Sequence, residues 1–304
     1  MKIAIAGGTG FLGRPLADAL ARDGHDIAVL TRQTRPPSSP RTRFISWTPT
    51  GTSGPWASAI DGADAVVNLA GESIAAKRWT DRQKQRILDS RVLATRSLAA
   101  AIGTVAAPPS VFVSGSAVGY YGPLGDEVVA EDRAAGADFL ARVCVQWEAE
   151  AMRAAGPPTR VACIRTGLVL ERDGGALSKM LPPFWFGAGG PVGSGRQYWP
   201  WIHRQDWIDL VRWTIQTPAA SGPINASAPT PVTNADFARA LGRVLRRPAF
   251  MPAPGFALKL LLGEMADALL LSGQRAVPAK AARLGYTFAF KHLDDALGAI
   301  FKRT

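Results

Sequence analysis

A chain of 304 residues, 47% hydrophobic and 19% charged, has length for about two domains, and its composition excludes disorder, collagen-like repeats and coiled coil. Two cysteines, Cys144 and Cys163, cannot form a disulfide framework, and His25, His203 and His292 lack metal-ligand spacing, so a reduced intracellular protein without a metal site is expected. The net charge of +11 is uneven: residues 1–150 hold 16 basic and 15 acidic side chains, whereas residues 151–304 hold 19 and 9. That excess is scattered arginine with no nucleic-acid motif. It therefore predicts no nucleic-acid partner and leaves two readings, attraction of a small anion or a solvated basic surface.

Residues 2–6 read as a short apolar strand, 11–22 as a helix and 26–31 as a second strand, with a further strand at Phe44 to Trp47. Residues 65–69 (Ala-Val-Val-Asn-Leu) read as a strand buried on both faces. Thr80 caps a long helix to about Ile102, with Ile87, Val92, Thr95 and Leu98 on or near its buried side, and Val111 to Ser114 is the next strand. This alternation predicts a Rossmann-like doubly wound parallel sheet. From about residue 170 the pattern changes. Pro182, Pro183, Pro191 and Pro200 punctuate a Gly- and Trp-rich stretch read as unable to hold a long helix, and helices follow near 204–217, 234–246, 255–271 and 291–301. The expected division is residues 1–230 and a smaller, mostly helical lobe at 231–304, docked without a linker. No apolar run reaches the roughly 18–20 residues of a spanning helix. The stretch from Phe256 to Leu271 is interrupted by Lys259, Glu264 and Asp267, and the apolar residues after Lys2 stop at Ala6, unlike a signal peptide. A cytoplasmic protein without a membrane partner is expected; oligomeric state is not legible.

Gly7-Gly8-Thr9-Gly10-Phe11-Leu12-Gly13 joins the first strand to the first helix. In that setting Gly7 permits the tight turn, Gly10 lets the backbone approach a pyrophosphate, and Gly13 lets helix and strand pack closely. The helix N-terminus offers free N–H groups to the anion. After the second strand an acidic residue would bind a ribose 2′-hydroxyl. Here Thr31 and Arg32 stand there, with Arg35 just beyond, and arginine pairs with a 2′-phosphate. NADP(H) is the expected cofactor.

With these motifs the chain resembles the extended short-chain dehydrogenase/reductase superfamily of NAD-dependent epimerases and dehydratases. Asn68-Leu69-Ala70-Gly71 resembles the segment that lines its cofactor cleft, and Val113-Ser114-Gly115-Ser116-Ala117 with Tyr121-Gly122 resembles its serine segment. Arg165-Thr166-Gly167-Leu168-Val169-Leu170 resembles its sixth strand, and Trp201-Ile202-His203-Arg204-Gln205-Asp206 the segment closing its substrate pocket. The usual catalytic pair is missing. Aligning Glu148 with the superfamily's helix glutamate puts Cys144 at the lysine position and Leu140 at the tyrosine position, and Arg91 replaces a customary Asn. These departures, with Leu262-Gly263-Glu264-Met265 and Gly285-Tyr286-Thr287-Phe288, resemble an atypical subgroup called epimerase family proteins, with its own small C-terminal domain. The resemblance implies cofactor contacts at Gly7, Thr9, Gly10, Phe11, Leu12, Gly13, Thr31, Arg32, Leu69, Ala70, Gly71, Arg91, Cys144 and Leu168.

Without Tyr and Lys the standard proton relay is unavailable, because Leu140 has no proton to give and Cys144 is too short to imitate an ammonium. Ser116 either orients a substrate oxygen or satisfies backbone groups at the strand end. Tyr120 and Tyr121 carry the nearest phenols, and Glu72 follows the cleft turn as a candidate base; packing or capping is the alternative for each. Arg91 acts on cofactor or substrate, or forms a surface ion pair. Arg196, Tyr198, Trp201 and His203 belong to an aromatic, Arg-bearing stretch that either closes over substrate or packs between the two parts. The leading expectation is an NADP(H)-dependent oxidoreductase or epimerase acting on a small, possibly anionic substrate such as a nucleotide sugar. A non-catalytic NADP(H)-binding sensor or partner-binding protein is the second, and a redox protein using Cys144 the third.

Overall fold

The computed structural model describes residues 1–33, 36 and 39–302. Seven strands form one parallel sheet: β1 (Lys2–Ala6), β2 (Asp26–Thr31), β3 (Thr42–Ser46), β4 (Ala65–Asn68), β5 (Val111–Ala117), β6 (Arg160–Thr166) and β7 (Gly222–Ala226). They lie in the order β7-β6-β5-β4-β1-β2-β3. Successive strands are added outward to one side as β1-β2-β3 and then to the other from β4, so the switch point, where doubly wound sheets open a crevice at the strand C-termini, lies between β1 and β4. The middle strands are buried on both faces, as their largely apolar content requires.

Helices α1 (Gly13–Arg22), α2 (Asp81–Ile102) and α3 (Phe139–Met152) cross between strands. Leu16, Leu20, Trp207 and Val211 belong to the core on one sheet face, and Leu98, Ile102, Trp56 and Ala151 to that on the other. The expected cap of α2 is present: Thr80 Oγ1 accepts from Gln83 N at 3.2 Å. Downstream come α4 (Gly175–Trp185), α5 (Arg204–Gln216), α6 (Asn234–Leu245), α7 (Gly255–Leu262), α8 (Ala279–Arg283) and α9 (Leu293–Lys302).

Two elements differ from the sequence expectation. A helix of 11 residues, α4, runs through Pro182 and Pro183. Both prolines fall near its end, where their carbonyls still accept from Phe186 N and Ala188 N, and burial of Leu177, Leu181 and Phe184 offsets the two missing donors. The helix expected over 255–271 instead breaks at Gly263, whose φ of +63° ends α7. A third cluster joins α4, Trp199 and Trp201 to α6 and α9, so the C-terminal helices share their core with the 168–201 stretch. A second tie is Asp206 in the first turn of α5. Its buried carboxylate accepts from Ala289 N at 2.8 Å and Phe290 N at 2.9 Å, while Tyr286 Oη donates to its carbonyl at 3.0 Å.

Candidate active site

The turn after β1 brings its glycines into contacts that side chains would fill. Gly7, at φ +77°, lies where a Cβ would come within 2.6 Å of the Leu69 carbonyl, so this turn and the one after β4 approach each other backbone to backbone. A Cβ on Gly13 would lie 2.2 Å from Gly7 O, which leaves only glycine room between helix and turn. Gly10 is exposed, and a Cβ there would meet Gly7 O alone, at 3.3 Å. Among the described residues the N–H groups of Phe11, Leu12 and Gly13 meet no backbone acceptor, and α1 has no side-chain cap. Unpartnered donors at a helix start fit a pyrophosphate. The Phe11 ring is fixed from the second half of the chain, against Gly174 and Gly175 and 5.3 Å from the Arg204 guanidinium. Thr9 is half-buried within the turn.

At the end of β2, Thr31 is buried and its Oγ1 accepts from Gln33 N at 3.2 Å, shaping the bend. Arg32 is exposed without an ion-pair partner among the described residues, a guanidinium free to meet a phosphate. Arg35 lies outside the described residues. At the end of β4, Asn68 is spent on structure: Nδ2 donates to Thr95 Oγ1 at 2.8 Å and Oδ1 accepts from Ala70 N at 3.1 Å, fixing the Leu69–Gly71 turn. Beside it Arg91 fills the space over Gly71, with Cζ 3.2 Å from where a Cβ would stand, and lies 5.3 Å from the Trp147 ring. Its Nη1 donates to Ile87 O at 3.0 Å. Burial lowers the Arg91 pKa, opposed by Cys144 and Glu72. Arg91 is therefore a half-buried cation at the cleft turn, not a surface ion pair.

A second constellation follows from strand register. Ser116 on β5 pairs with Arg165 on β6, and Arg165 with Asn225 on β7, so three polar side chains form one row across the sheet. Glu148 on α3 lies over this row. Arg165 grips it bidentately, Nε to Oε1 at 2.8 Å and Nη2 to Oε2 at 2.9 Å, and Ser116 Oγ donates to Oε1 at 2.6 Å. Burial opposes the Arg165 charge, but the hydrogen bonds and charge of Glu148 outweigh it and raise its pKa. The guanidinium also stacks on the Tyr120 ring at 3.4 Å. Because the Ser116 proton points at Glu148, the hydroxyl has only acceptor lone pairs left for a ligand.

Three sequence readings are corrected here. Tyr121 is fully buried: its hydroxyl donates to Asn225 Oδ1 at 2.7 Å and accepts from Arg165 Nη1 at 3.0 Å, and burial pushes its pKa up to about 12, so it braces the row and has no path to hand over a proton. Glu72 is no poised base. Gln83 Nε2 at 2.9 Å and Arg86 Nε at 3.1 Å bind its carboxylate, and the Gln83 bond above all, helped by Arg86, lowers its pKa. The Cys144 thiol is buried, donates to Ala117 O at 3.7 Å, and is raised to about 11 by burial and the Glu148 charge, which removes the thiolate that redox work needs.

The four expected substrate contacts are not brought together. Arg196 is exposed on a turn, its N–H donating to Ser194 Oγ, and Tyr198 is half-buried with its ring 5.1 Å from Arg275. Trp201 is a core residue whose Nε1 donates to Thr230 O at 3.2 Å. His203 is buried, caps α5 through Nδ1 and stacks on Phe290 at 4.0 Å, so packing explains both better than a lid. Leu168 is tied to Pro200 O through its N–H at 2.7 Å. Sequence reading assigned no role to Arg165, Trp147 and Asn225 and used Glu148 only to set the alignment. The linear signal of Arg165 and Asn225 is a charged or amide residue in a largely apolar strand, whereas Trp147 and Glu148 lie on α3 and are brought to them only by the crossover.

An exposed-glycine crevice beside a half-buried cation and a strand-end serine is the site of a dinucleotide-dependent fold. The chain belongs to the NAD dependent epimerase/dehydratase family, which matches residues 3–226, and a domain of unknown function (DUF1731) matches residues 253–300. Among its relatives are the chloroplastic epimerase family protein SDR39U1 homolog of Arabidopsis thaliana, 42% identical over 99% of this chain and 87% of that one, and human epimerase family protein SDR39U1, 36% identical over 99% of both. The crystal structure of the human protein with NADPH superposes with a TM-score of 0.91 over 100% of both chains at 36% identity. UDP-glucuronic acid 4-epimerase of Bacillus cereus, solved with UDP-glucuronic acid and NAD, shares the fold at a TM-score of 0.78 and 17% identity over 99% of this chain and 98% of that one.

Proposed function

We propose that this protein binds NADP(H) and is an oxidoreductase or epimerase acting on a small anionic substrate such as a nucleotide sugar, by a route that does not use the Tyr-Lys pair. The observation that carries this reading is the row Ser116–Arg165–Glu148 ending beside the cleft. Its serine, at the C-terminal end of β5, donates to Glu148 at 2.6 Å and so keeps its acceptor lone pairs for a ligand. The NADPH of the human relative and the unpaired Arg32 favour the phosphorylated cofactor. Bound there, that cofactor supplies a hydride donor or acceptor. Phe11, Leu12 and Gly13 N–H groups hold its pyrophosphate, Arg32 its 2′-phosphate, and Leu69 to Gly71 with Arg91 border the ring end. Ser116 accepts a hydrogen bond from the substrate hydroxyl. Tyr120, whose phenol has no hydrogen-bond partner among the described residues, handles the proton beside the Arg165 charge. The basic excess of residues 151–304 draws the anion.

A second reading, NADP(H) binding without chemistry, rests on Leu140, which stands at the missing tyrosine and packs with Trp79 and Ile87. Calorimetry on nucleotide-stripped protein, followed by hydride exchange from stereospecifically labelled NADPH, separates the two. Heat with NADPH and exchange that Ser116→Ala and Tyr120→Phe abolish support catalysis. Heat without exchange over a broad panel of UDP-sugars and carbonyl compounds leaves the binding protein. No heat with NADPH, or tighter NADH than NADPH binding that Arg32→Asp does not alter, ends both readings. No helix among the described residues is long and apolar enough to cross a membrane. A cytoplasmic location remains part of the proposal.

A further inference from the structure

Eleven large hydrophobic side chains are exposed among the described residues, and seven of them fall in two stretches, 185–186 and 250–261. These stretches are neighbours. The extended segment 248–253 runs along 187–193, with Met251 N donating to Gly189 O at 3.1 Å, Ala253 N to Pro191 O at 2.9 Å and Gly193 N to Ala253 O at 2.9 Å. Phe186, Leu260, Phe256 and Phe250 are 85%, 81%, 77% and 75% exposed, values of side chains that project from a surface and do not wall a cleft. Helix α7, Gly-Phe-Ala-Leu-Lys-Leu-Leu-Leu, has no buried residue at all. Short helices owe their stability to packing an apolar face; here Leu262 packs against the Trp79, Ile87 and Met265 cluster, while Phe256, Leu260 and Leu261 are left outside any core among the described residues.

The same surface is basic. Next to Phe250, a shallow hollow of about 410 Å³ is lined by Arg239, Arg243, Arg246 and Arg247 around Gly242 and Ala249. Arg239 and Arg243 pair with Asp236 and Asp294, while Arg246 and Arg247 have no acidic partner among the described residues. Projecting aromatic and leucine side chains beside uncompensated guanidinium groups match the chemistry of a membrane face carrying negative headgroups. A second copy of the chain fits less well, because a two-fold contact through this patch sets two unpaired arginine clusters at each other's edges.

We propose that α7, its neighbouring aromatic side chains and the arginine hollow dock onto an anionic phospholipid bilayer, the apolar residues entering the headgroup–acyl boundary and the arginines holding lipid phosphate. The sequence reading expects no membrane partner because it asks for a spanning run; lying on a surface requires none. This inference does not depend on the proposed activity.

Co-sedimentation of the full chain with phosphatidylcholine vesicles, with and without phosphatidylglycerol, tests it. Binding is expected only to the anionic vesicles and weakens with salt. Arg246→Ala with Arg247→Ala lowers vesicle affinity about 30-fold, and Leu260→Glu lowers it more than about tenfold. Both variants keep the wild-type circular dichroism and melting temperature, which separates lost docking from lost folding. The proposal is overturned by equal binding to neutral vesicles, by no binding to anionic ones, or by full release with inorganic phosphate at matched ionic strength, which identifies the free anion as ligand. It is also overturned if lipid-free protein sediments as a dimer that Leu260→Glu dissociates, since a second copy then occupies the patch.

Discussion

The Arg165–Glu148 pair offers the sharpest test of how the site is built. Arg165 is 3% exposed and Glu148 13%, so neither charge has much water to fall back on. Glu148→Ala strands the guanidinium under α3, and breaking a buried pair from one side costs about 3–5 kcal/mol. The Ser116 bond goes too, at about 1 kcal/mol. For a chain of this size each kcal/mol moves the melting temperature by roughly 2–4 °C, so the combined loss of about 4–6 kcal/mol lowers it by roughly 8–24 °C. Replacing both partners, Glu148→Leu with Arg165→Met, removes the stranded charge and recovers most of the loss, because an apolar pair of similar volume avoids the desolvation penalty. Thermal and urea unfolding of Glu148→Leu, Arg165→Met and their double variant give the coupling energy directly. If Glu148→Ala loses under about 1 kcal/mol, or if the double variant's loss equals the sum of the singles, the pair is solvent-screened and the reasoning fails.

Two glycines separate folding from binding. Gly13→Ala meets Gly7 O at 2.2 Å and destabilises the protein strongly, whereas Gly10→Ala, whose Cβ meets only Gly7 O at 3.3 Å, leaves the unfolding free energy within about 1 kcal/mol of wild type and abolishes NADPH heat in calorimetry. Tyr121→Phe leaves Asn225 Oδ1 without its donor and costs about 1–3 kcal/mol by urea unfolding, yet NADPH affinity is unchanged. The buried thiols and phenol set an alkaline limit. Cys144 is raised to about 11, Cys163 to about 12 and Tyr121 to about 12, all chiefly by burial. Raised values favour the protonated folded form, so their contribution is complete below about pH 9 and is lost as pH climbs through the folded values. Unfolding free energy measured from pH 7 to 11 should fall steadily above pH 9. Iodoacetamide at pH 7.5 should label neither cysteine until denaturant is added; labelling of Cys144 in the native protein would contradict its burial.

Much of this protein is determined locally, and that part is legible in the sequence. The Gly7–Gly13 turn, the Ala-Val-Val run of β4 and the Thr80 cap follow from sterics and hydrogen-bond needs within a few residues, so the sheet, its first helices and the phosphate-binding turn could be read in one dimension. The fate of polar side chains could not, because it depends on what distant segments place against them. Tyr121 and Glu72 read as reactive until Asn225, Arg165, Gln83 and Arg86 arrive as their partners, and Arg165 read as one residue of a strand motif until register set it between Ser116 and Asn225 beneath Glu148. Trp201 and His203, which by composition suited a lid, are buried because α6 and α9 complete a core around them. Only the tertiary structure decides such cases, since burial and pairing are properties of the assembled layers and not of the residue type.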